Sequence, residues 1–456
     1  MLTEMRLVNF KSWADTGVFR LAPITGFFGA NSSGKTSLLQ ALLLLKQTSE
    51  SSDRNMPLQF GTKGSLIHLG DFQSVVTGRS LESAITIQVG WRREGGYTLK
   101  DLALPAHAVV SSESLGFQTE VGVENGGGKT ARLSVLRMEY AVGDARFGMK
   151  KKQDAKNDYE LFSSADNFQF SRTQGRAWAL PPPSKCYGFP DQTRAYFQNA
   201  GFLSDLELNF EEILHSINYL GPLRAYPERS YAWTGSQPPD MGRSGELAVE
   251  AILSSRDRNA FISQGKGRKR VTLEAYVAQW LQKIGLIAEF RVHSVSEGSQ
   301  IFQVLVKKNA DSPEALITDV GFGVSQILPV IVLCFYAPEG STIVLEQPEI
   351  HLHPSVQSCL ADIFIDAWKK RKVQIIVESH SEHLLRRLQR RIAEEVLPNS
   401  EAALYFCEYK NRVSKLNPLT MNVLGEIENW PADFFGDQFG ELAATQRARL
   451  NRKKRS

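Results

Sequence analysis

The sequence contains little cysteine, and the few cysteines form no recognisable pattern. Four occur among 456 residues, widely separated and without a Cys-x-x-Cys pair: Cys186, Cys334, Cys359 and Cys407. This spacing argues against a zinc site and against a disulfide framework. We therefore expect the chain to work in a reducing compartment.

Long apolar runs are absent as well. No stretch of 18 uncharged apolar residues occurs, and residues 1–6 lack the apolar core of a signal peptide. These absences predict a cytoplasmic protein without a membrane domain. No sustained heptad pattern is present either, which excludes long coiled-coil arms.

Neither sign of charge dominates the composition. The formal net charge is +4, with 42% hydrophobic and 22% charged residues, as in an ordinary globular protein. The positive residues are nevertheless clustered, in the runs 150–152, 266–270, 386–391 and 452–455. Each run is either a solvated face or a contact for nucleic acid, and the sequence leaves both interpretations open. DNA is therefore a candidate partner.

What the sequence does contain is a complete phosphate-binding loop. Residues 29–36 match Gly-x-x-x-x-Gly-Lys-Ser/Thr at every specified position, after an apolar strand pattern and before a helix pattern. In that context backbone N–H groups hold β- and γ-phosphates, Lys35 adds a positive charge, and the Thr36 hydroxyl binds Mg²⁺. The predicted nucleotide-binding residues here are Gly29, Ala30, Asn31, Ser32, Ser33, Gly34, Lys35 and Thr36.

A second group of motifs lies some 300 residues further along the chain. Residues 342–346 form a buried-type strand pattern that ends in the carboxylate of Glu346. A carboxylate at the end of a parallel strand can face the phosphate loop and order Mg²⁺. A glycine-rich turn, residues 319–326, precedes this strand, and a further strand pattern, residues 373–377, ends just before His380.

These motifs together resemble the ATP-binding-cassette heads of the RecF, Rad50, SMC and OLD kind. The resemblance implies ATP and Mg²⁺ as cofactors, with Thr36 and Glu346 as the metal-binding residues. It makes residues 319–326 the signature turn, and the residues of that turn expected to bind nucleotide are Gly321, Gly323 and Ser325. Ser325 is expected to contact the γ-phosphate, because Gly321 stands where most relatives have serine.

The resemblance also assigns catalytic positions. His380 corresponds to the switch histidine, and Glu346 to the Walker B carboxylate. Gln347 stands where the family usually has a glutamate that activates water, and Glu349 is the competing candidate for that role. Because of Gln347, the alternative to an ATPase is a nucleotide switch with little or no hydrolysis.

A narrower resemblance concerns residues 219–224, 346–354 and 425–435. They are similar to a bacterial subfamily of AAA-type ATPases that is frequent in antiphage systems such as Septu and PARIS. This implies DNA-linked defence or repair, a homodimer or higher homo-oligomer through the ATP heads, and a separately encoded effector. The sequence after His380 shows no cluster of paired aspartates, so the nuclease domain of the OLD family is expected to be absent.

The predicted fold class is α/β, a P-loop NTPase head of the ATP-binding-cassette type with an antiparallel β lobe and a helical insertion. The expected domains are the N-terminal part of the head (1–75), a β lobe (76–180), a mostly helical insertion (181–315), the C-terminal part of the head (316–395) and a C-terminal segment with a basic tail (396–456).

Several further positions keep alternative interpretations. Arg224 could bind a phosphate, a carboxylate of a partner, or a structural counter-ion. Gln73 is a candidate for the glutamine that approaches the nucleotide in cassette ATPases. His351 and His353 have a spacing that would allow metal binding, although the cassette motifs already account for their segment. Glu378 is expected to support the site indirectly or to face solvent.

Overall fold

The computed structural model describes residues 1–100, 108–125, 131–152, 158–175, 178–265, 267, 269–321, 323–431, 444–447 and 449. Its strands are β1 (Leu2–Phe10), β2 (Trp13–Asp15), β3 (Phe19–Arg20), β4 (Ile24–Gly29), β5 (Ile85–Lys100), β6 (Ala108–Asn125), β7 (Ala131–Val142), β8 (Ala145–Lys151), β9 (Tyr159–Ser163), β10 (Ile217–Leu220), β11 (Tyr231–Ala232), β12 (Phe261–Ile262), β13 (Val271–Thr272), β14 (Glu289–Ser294), β15 (Ile301–Lys307), β16 (Ala315–Leu316), β17 (Thr342–Glu346), β18 (Gln374–Glu378), β19 (Ala402–Lys410) and β20 (Val413–Pro418).

The helices are α1 (Lys35–Glu50), α2 (Phe72–Val75), α3 (Gln192–Tyr196), α4 (Leu203–His215), α5 (Ala248–Asp257), α6 (Leu273–Lys283), α7 (Gly323–Tyr336), α8 (Pro354–Arg371) and α9 (Glu382–Ala393). Short 3₁₀ turns occur at Thr77–Arg79, Ile317–Asp319 and Asn399–Glu401.

A six-stranded sheet in the order β10-β17-β18-β4-β19-β20 positions the phosphate loop. All neighbours in it are parallel except β19 and β20. Strands β4, β17 and β18 are buried along their whole length, as expected where a parallel sheet is covered on both faces. Their carboxyl ends therefore meet at one edge, where β4 runs into the phosphate loop.

The central sheet separates two hydrophobic clusters. Side chains alternate between the faces of a strand, so neighbouring Phe27 and Phe28 of β4 enter different clusters. The first cluster joins the sheet to α1, α4 and the antiparallel sheet. The second joins the opposite face to helices α5, α6, α7, α8 and α9.

The second large sheet is antiparallel and confirms the predicted β lobe. Its order is β2-β1-β5-β6-β7-β8-β9, with β3 also paired to β1. Because β1 pairs with β5, the sheet includes N-terminal strands, and the boundary expected at residue 76 does not separate two sheets. The mixed α/β fold class is confirmed.

The expectation of a mostly helical insertion over residues 181–315 is wrong. This segment contributes β10 to the central sheet and the antiparallel pair of β14 and β15. Residues 289–294 alternate between exposed and buried positions, which is the period of a strand. The run 217–220, which is buried at all four positions, is too short for its sequence alone to distinguish a buried strand from a helix.

The C-terminal segment completes the central sheet through β19 and β20. Its basic tail, residues 452–455, and residues 432–435 of the resembling motif lie outside the described residues. Among the helices that are described, none has both the length and the apolar character needed to cross a bilayer.

Candidate nucleotide-binding site

The phosphate loop follows β4 in a conformation that requires its glycines. Gly29 has a φ of 136°, and a Cβ atom there would lie 2.2 Å from the backbone oxygen of Cys407. Gly34 has a φ of 93°, and a Cβ atom would lie 2.6 Å from Ser414 Oγ. Both angles fall in a region that residues with a side chain seldom adopt. The close approach of β19 and β20 therefore fixes the path of the loop.

The ammonium group of Lys35 lies inside this loop. Its Nζ donates to the carbonyl oxygens of Gly29 at 3.1 Å and Ala30 at 2.7 Å, and it lies 3.4 Å from Ser33 Oγ. Only 3% of the residue is exposed. Burial lowers the pKa of Lys35, while the Glu378 carboxylate opposes that shift. The charge is thus held where a bound phosphate chain would lie.

The next residue, Thr36, connects the loop to the carboxyl edge of the sheet. Its hydroxyl donates to Glu378 Oε1 at 3.0 Å. Glu378 ends β18, the strand that lies between β4 and β17. Burial raises the pKa of Glu378, and Thr36, Lys35 and Gln347 act in the opposite direction. In the described chain, Glu378 Oε2 is buried without a hydrogen-bond partner, so this carboxylate has unused acceptor capacity directly beside the loop.

Glu346 lies next to Glu378 across the sheet. The two residues are paired in register at the ends of β17 and β18, so their side chains leave the same face. The Tyr219 hydroxyl of β10 donates to Glu346 Oε1 at 3.0 Å. Burial raises the pKa of Glu346 to about 7, and the nearby Glu378 carboxylate adds to the rise. Two carboxylates therefore share this edge of the sheet with Thr36.

Gln347 adopts a backbone conformation that is uncommon for its residue type. Its φ is 43°, and its N–H donates to the backbone oxygen of Glu378 at 2.8 Å. Left-handed backbone at a residue other than glycine carries strain of order 1–3 kcal/mol and is concentrated at functional sites. The turn after β17 thus holds Gln347 beside the end of β18.

Glu349 and His380 form a further contact at the same edge. The His380 backbone N–H donates to Glu349 Oε1 at 2.5 Å. Glu349 is 6% exposed, and burial raises its pKa. Burial also lowers the pKa of the half-buried His380 imidazole, and Lys35 contributes to that lowering. The imidazole is therefore held in its neutral form near neutral pH.

The described residues of the signature turn differ in exposure. Gly321 is exposed, and a Cβ atom built on it would meet no atom within 4 Å. Ser325 is 6% exposed in the first turn of α7. The expected γ-phosphate contact through Ser325 stays a prediction. Phe322, between the two glycines, lies outside the described residues.

The remaining candidate positions lie in varied surroundings. Gln73 is exposed on α2, and His351 is exposed with a φ of 62°. His353 caps the N-terminus of α8, where its Nδ1 accepts from the Ser355 N–H at 3.3 Å. Among the described residues, no group of three or more His, Cys, Asp or Glu side chains is arranged to hold a metal ion by itself. Arg224 is buried near Glu346 and Glu349, as described below.

Sequence reasoning gave Glu378 only an indirect or solvent-facing place, whereas it is buried and bonded to Thr36, and it missed Tyr219. Glu378 carries the same signal that identified Glu346, because it too ends an apolar, buried strand in a carboxylate. Applying that rule to both strands would have placed Glu378 in the site itself. Tyr219 could not be found in this way, because its contact depends on the pairing of β10 with the distant β17.

The raised pKa of Glu346 leads to a testable pH dependence of stability. An unfolded glutamate titrates near 4.5, whereas Glu346 in the fold titrates near 7. Between these values unfolding releases a proton, so the free energy of unfolding that Glu346 contributes falls as pH rises. We expect Glu346→Gln to become progressively more stable than the wild type between pH 5 and pH 7.5, measured as the difference in thermal midpoint.

The quantity to follow is the difference in thermal midpoint between Glu346→Gln and the wild type. The lowered pKa of His380 changes stability with pH in the opposite direction, but it is common to both proteins and cancels in this difference. Glu382→Gln is the matched control, because Glu382 pairs with Arg386 on α9. A pH-independent offset for Glu346→Gln would show that this carboxyl is not buried as described.

Two family models of AAA-type ATPases match the chain. The model "AAA domain, putative AbiEii toxin, Type IV TA system" matches residues 24–89, and the model "AAA ATPase domain" matches residues 262–385. The first segment contains β4 and the phosphate loop, and the second contains β17 and β18, so both meet in the central sheet. A third model, "Protein of unknown function (DUF3696)", matches residues 397–444. Similarity to AAA-type ATPases is thereby confirmed.

Solved structures of SMC heads are also similar to this chain. One is an SMC head bound to the C-terminal winged-helix domain of ScpA, with 11% identity, a TM-score of 0.45, and coverage of 92% of this chain and 98% of that one. The SMC head domain from Thermotoga maritima has 11% identity, a TM-score of 0.40, and coverage of 92% and 99%.

A third is an Smc head with an extended coiled coil, bound to the C-terminal domain of ScpA derived from Pyrococcus furiosus, with 10% identity, a TM-score of 0.46, and coverage of 92% and 96%. No curated protein has a sequence that matches this chain significantly.

Proposed function

We propose that the chain binds ATP with Mg²⁺ at the phosphate loop and hydrolyses it. The observation that carries this proposal is the hydrogen bond of 3.0 Å between Thr36 and Glu378. It joins the loop to the carboxylate edge of the central sheet, which is the arrangement needed to bring a phosphate chain and a divalent cation together. The matching AAA-type models support it.

The residues at this edge fit Mg²⁺ by their chemistry. Mg²⁺ prefers oxygen ligands and is usually held by one or two protein oxygens together with water and substrate phosphates. Thr36 and Glu346 would hold it, as predicted from the sequence, and the Thr36 hydroxyl oxygen can do so while its hydrogen is donated to Glu378. When bound, the ion would neutralise charge on the β- and γ-phosphates.

In the proposed reaction, the chain's own residues position the phosphate and the attacking water. The loop amides and Lys35 bind the phosphates, and the neutral His380 imidazole donates to the γ-phosphate as charge develops. Glu349 orients His380 through the backbone N–H. Gln347 orients the water but cannot take its proton. We assign proton acceptance to Glu378, because this carboxylate accepts from the Thr36 hydroxyl and lies close enough to the Gln347 side chain for that side chain to lower its pKa.

A nucleotide switch with little hydrolysis is the second candidate. The observation that favours it is Gln347 at the position where relatives place a glutamate. ATP turnover by the purified protein, with and without duplex DNA, separates the two functions. Turnover above that of a Lys35→Ala variant supports the ATPase, and binding without turnover in either condition supports the switch.

We further propose that two heads dimerise around two nucleotides, with the signature turn of one subunit facing the γ-phosphate of the other. Support comes from the exposure of Gly321 and the open space around it. A side chain there fits the single chain but would occupy the space of a phosphate in the dimer. We expect Gly321→Glu to leave folding unchanged and to abolish dimer formation with ATP and Mg²⁺, measured by sedimentation velocity.

The matched control for this experiment is Asn309→Glu, an equally acidic change at an exposed turn away from the signature motif. It should dimerise as the wild type does. A dimer that forms with ATP despite Gly321→Glu, or a wild type whose mass is unaffected by nucleotide and is that of a monomer, would contradict the proposed geometry.

The biological role that we propose is cytoplasmic, DNA-linked antiphage defence or repair, with a separately encoded effector. The resemblance of residues 219–224 and 346–354 to ATPases of such systems supports this assignment. Within the basic run 266–270, the described residues Lys269 and Arg270 are exposed and available to phosphate. Co-purification of a neighbouring gene product, and a steep loss of DNA binding with salt, would test the two partners.

A further inference from the structure

One arginine lies at the edge of the site with no role in the reaction described so far. Arg224 belongs to the turn after β10, and β10 pairs with β17 up to Leu220 and Leu345. The turn therefore begins beside Glu346, the residue that follows Leu345. Backbone bonds fix its course, since the Gly221 N–H donates to Arg243 O at 2.8 Å and the Ala225 N–H to Ser244 O at 3.0 Å.

Arg224 is buried although exposed residues lie close to it in the same turn. It is 9% exposed, whereas its neighbours Leu223 and Tyr226 are each 79% exposed. The turn is thus partly exposed, and the Arg224 side chain is directed inward. Arg229, a few residues further on, shows the ordinary alternative: it is exposed and forms an ion pair with Asp319 at 3.2 Å.

The buried guanidinium group lacks the partners that such a group needs. Within the described chain, neither Nε nor Nη1 of Arg224 has a hydrogen-bond partner. A buried charge without hydrogen bonds is strongly unfavourable. Burial lowers the pKa of Arg224 to about 10, and the nearby groups that oppose this effect are Tyr219, Glu349 and Glu346. The cation therefore lies in the electrostatic surroundings of the nucleotide site without forming a structural ion pair there.

We propose that Arg224 binds the terminal phosphate of ATP at this site and thereby distinguishes ATP from ADP. This inference rests on the proposed function. A guanidinium group presents parallel N–H donors that match two oxygens of a phosphate, and such charge-assisted pairs are stronger than neutral hydrogen bonds. The γ-phosphate would give Nε and Nη1 the acceptors that they lack. It would also bring negative charge close to the guanidinium group, which has no structural counter-ion in the described chain.

The experiment compares Arg224→Gln with the wild type in three measurements. These are the affinity for a non-hydrolysable ATP analogue, the affinity for ADP, and the thermal midpoint of the nucleotide-free protein. Charged hydrogen bonds of this kind correspond to roughly 10- to 100-fold in affinity. We expect Arg224→Gln to bind the analogue roughly 10- to 100-fold more weakly and to bind ADP with unchanged affinity. Its thermal midpoint should not fall, because the substitution removes an unpaired buried charge.

The matched control is Arg371→Gln, because Arg371 already has structural partners. Its guanidinium group donates to Ala337 O at 2.9 Å and to Glu339 Oε1 at 3.2 Å. Its loss should lower the thermal midpoint and leave the ratio of the two affinities unchanged. Arg224→Lys keeps the charge without the fork of donors and should lose part of the preference for ATP. If Arg224→Gln does not fold, the affinities of Arg224→Lys for the ATP analogue and for ADP test the proposal instead.

Equal weakening of both ligands by Arg224→Gln, or no weakening of either, overturns the inference. A lowered thermal midpoint with an unchanged affinity ratio would make Arg224 a structural ion-pair residue instead. A wild-type protein that binds neither ligand would contradict the proposed function itself, and the role of Arg224 would fall with it.

Discussion

Replacing Lys35 with alanine is expected to abolish ATP binding at concentrations where the wild type is saturated. The Nζ atom lies in the hollow of the loop, held by the carbonyl oxygens of Gly29 and Ala30. It is also the loop's own positive charge beside the buried Glu378 carboxylate. Without it, the loop amides must hold a polyanion next to a carboxylate. Isothermal titration calorimetry with ATP and Mg²⁺ measures the loss directly.

Lys185→Ala is the matched control for this variant. Lys185 is also a buried lysine, but its ammonium group donates to the backbone oxygen of Ser49, at the end of α1 remote from the loop. Its removal should lower stability and leave ATP affinity intact. Wild-type affinity in Lys35→Ala would mean that residues 29–36 do not bind the nucleotide.

Replacing Glu378 with glutamine is expected to reduce ATP turnover by roughly 10²–10⁴-fold, the usual contribution of a general base. The change keeps the size of the side chain and its ability to accept from Thr36, so ATP affinity should change far less than turnover. Burial raises the pKa of Glu378, which makes the carboxylate a better proton acceptor. Phosphate release under saturating ATP measures the rate, and titration with a non-hydrolysable analogue measures the affinity.

Two further variants decide between this assignment and the positions predicted from the sequence. If Gln347→Glu raises turnover, the missing carboxylate is at position 347. If Glu349→Gln abolishes turnover while Glu378→Gln does not, the base is Glu349. Glu382→Gln, four residues after Glu378 and paired with Arg386 on α9, should leave the rate unchanged.

The parts of the site that could be predicted from the sequence are those with a local pattern. The phosphate loop is continuous in sequence, and apolar residues mark β4 before it and α1 after it. Glu346 could be placed because a buried strand ends there. Chain order alone cannot show which strands lie side by side, and for that reason the contact between Thr36 and Glu378 became visible only in the structure.

The features that could not be predicted from the sequence have the same physical origin. The run 217–220 is a strand because β17, more than 100 residues further along the chain, provides its hydrogen-bonding partner. Likewise, the inward direction of Arg224 within a partly exposed turn depends on the fold around it.

The most direct test of the account is the release of inorganic phosphate from ATP by the purified wild-type protein, measured with Mg²⁺ and with EDTA. The account predicts phosphate release that requires Mg²⁺, is lost in Lys35→Ala, and falls by roughly 10²–10⁴-fold in Glu378→Gln, which still binds ATP. Mg²⁺-dependent release that is undiminished in Glu378→Gln would contradict the assigned chemistry. Tight ATP binding by a wild type that releases no phosphate would contradict hydrolysis and leave the nucleotide switch.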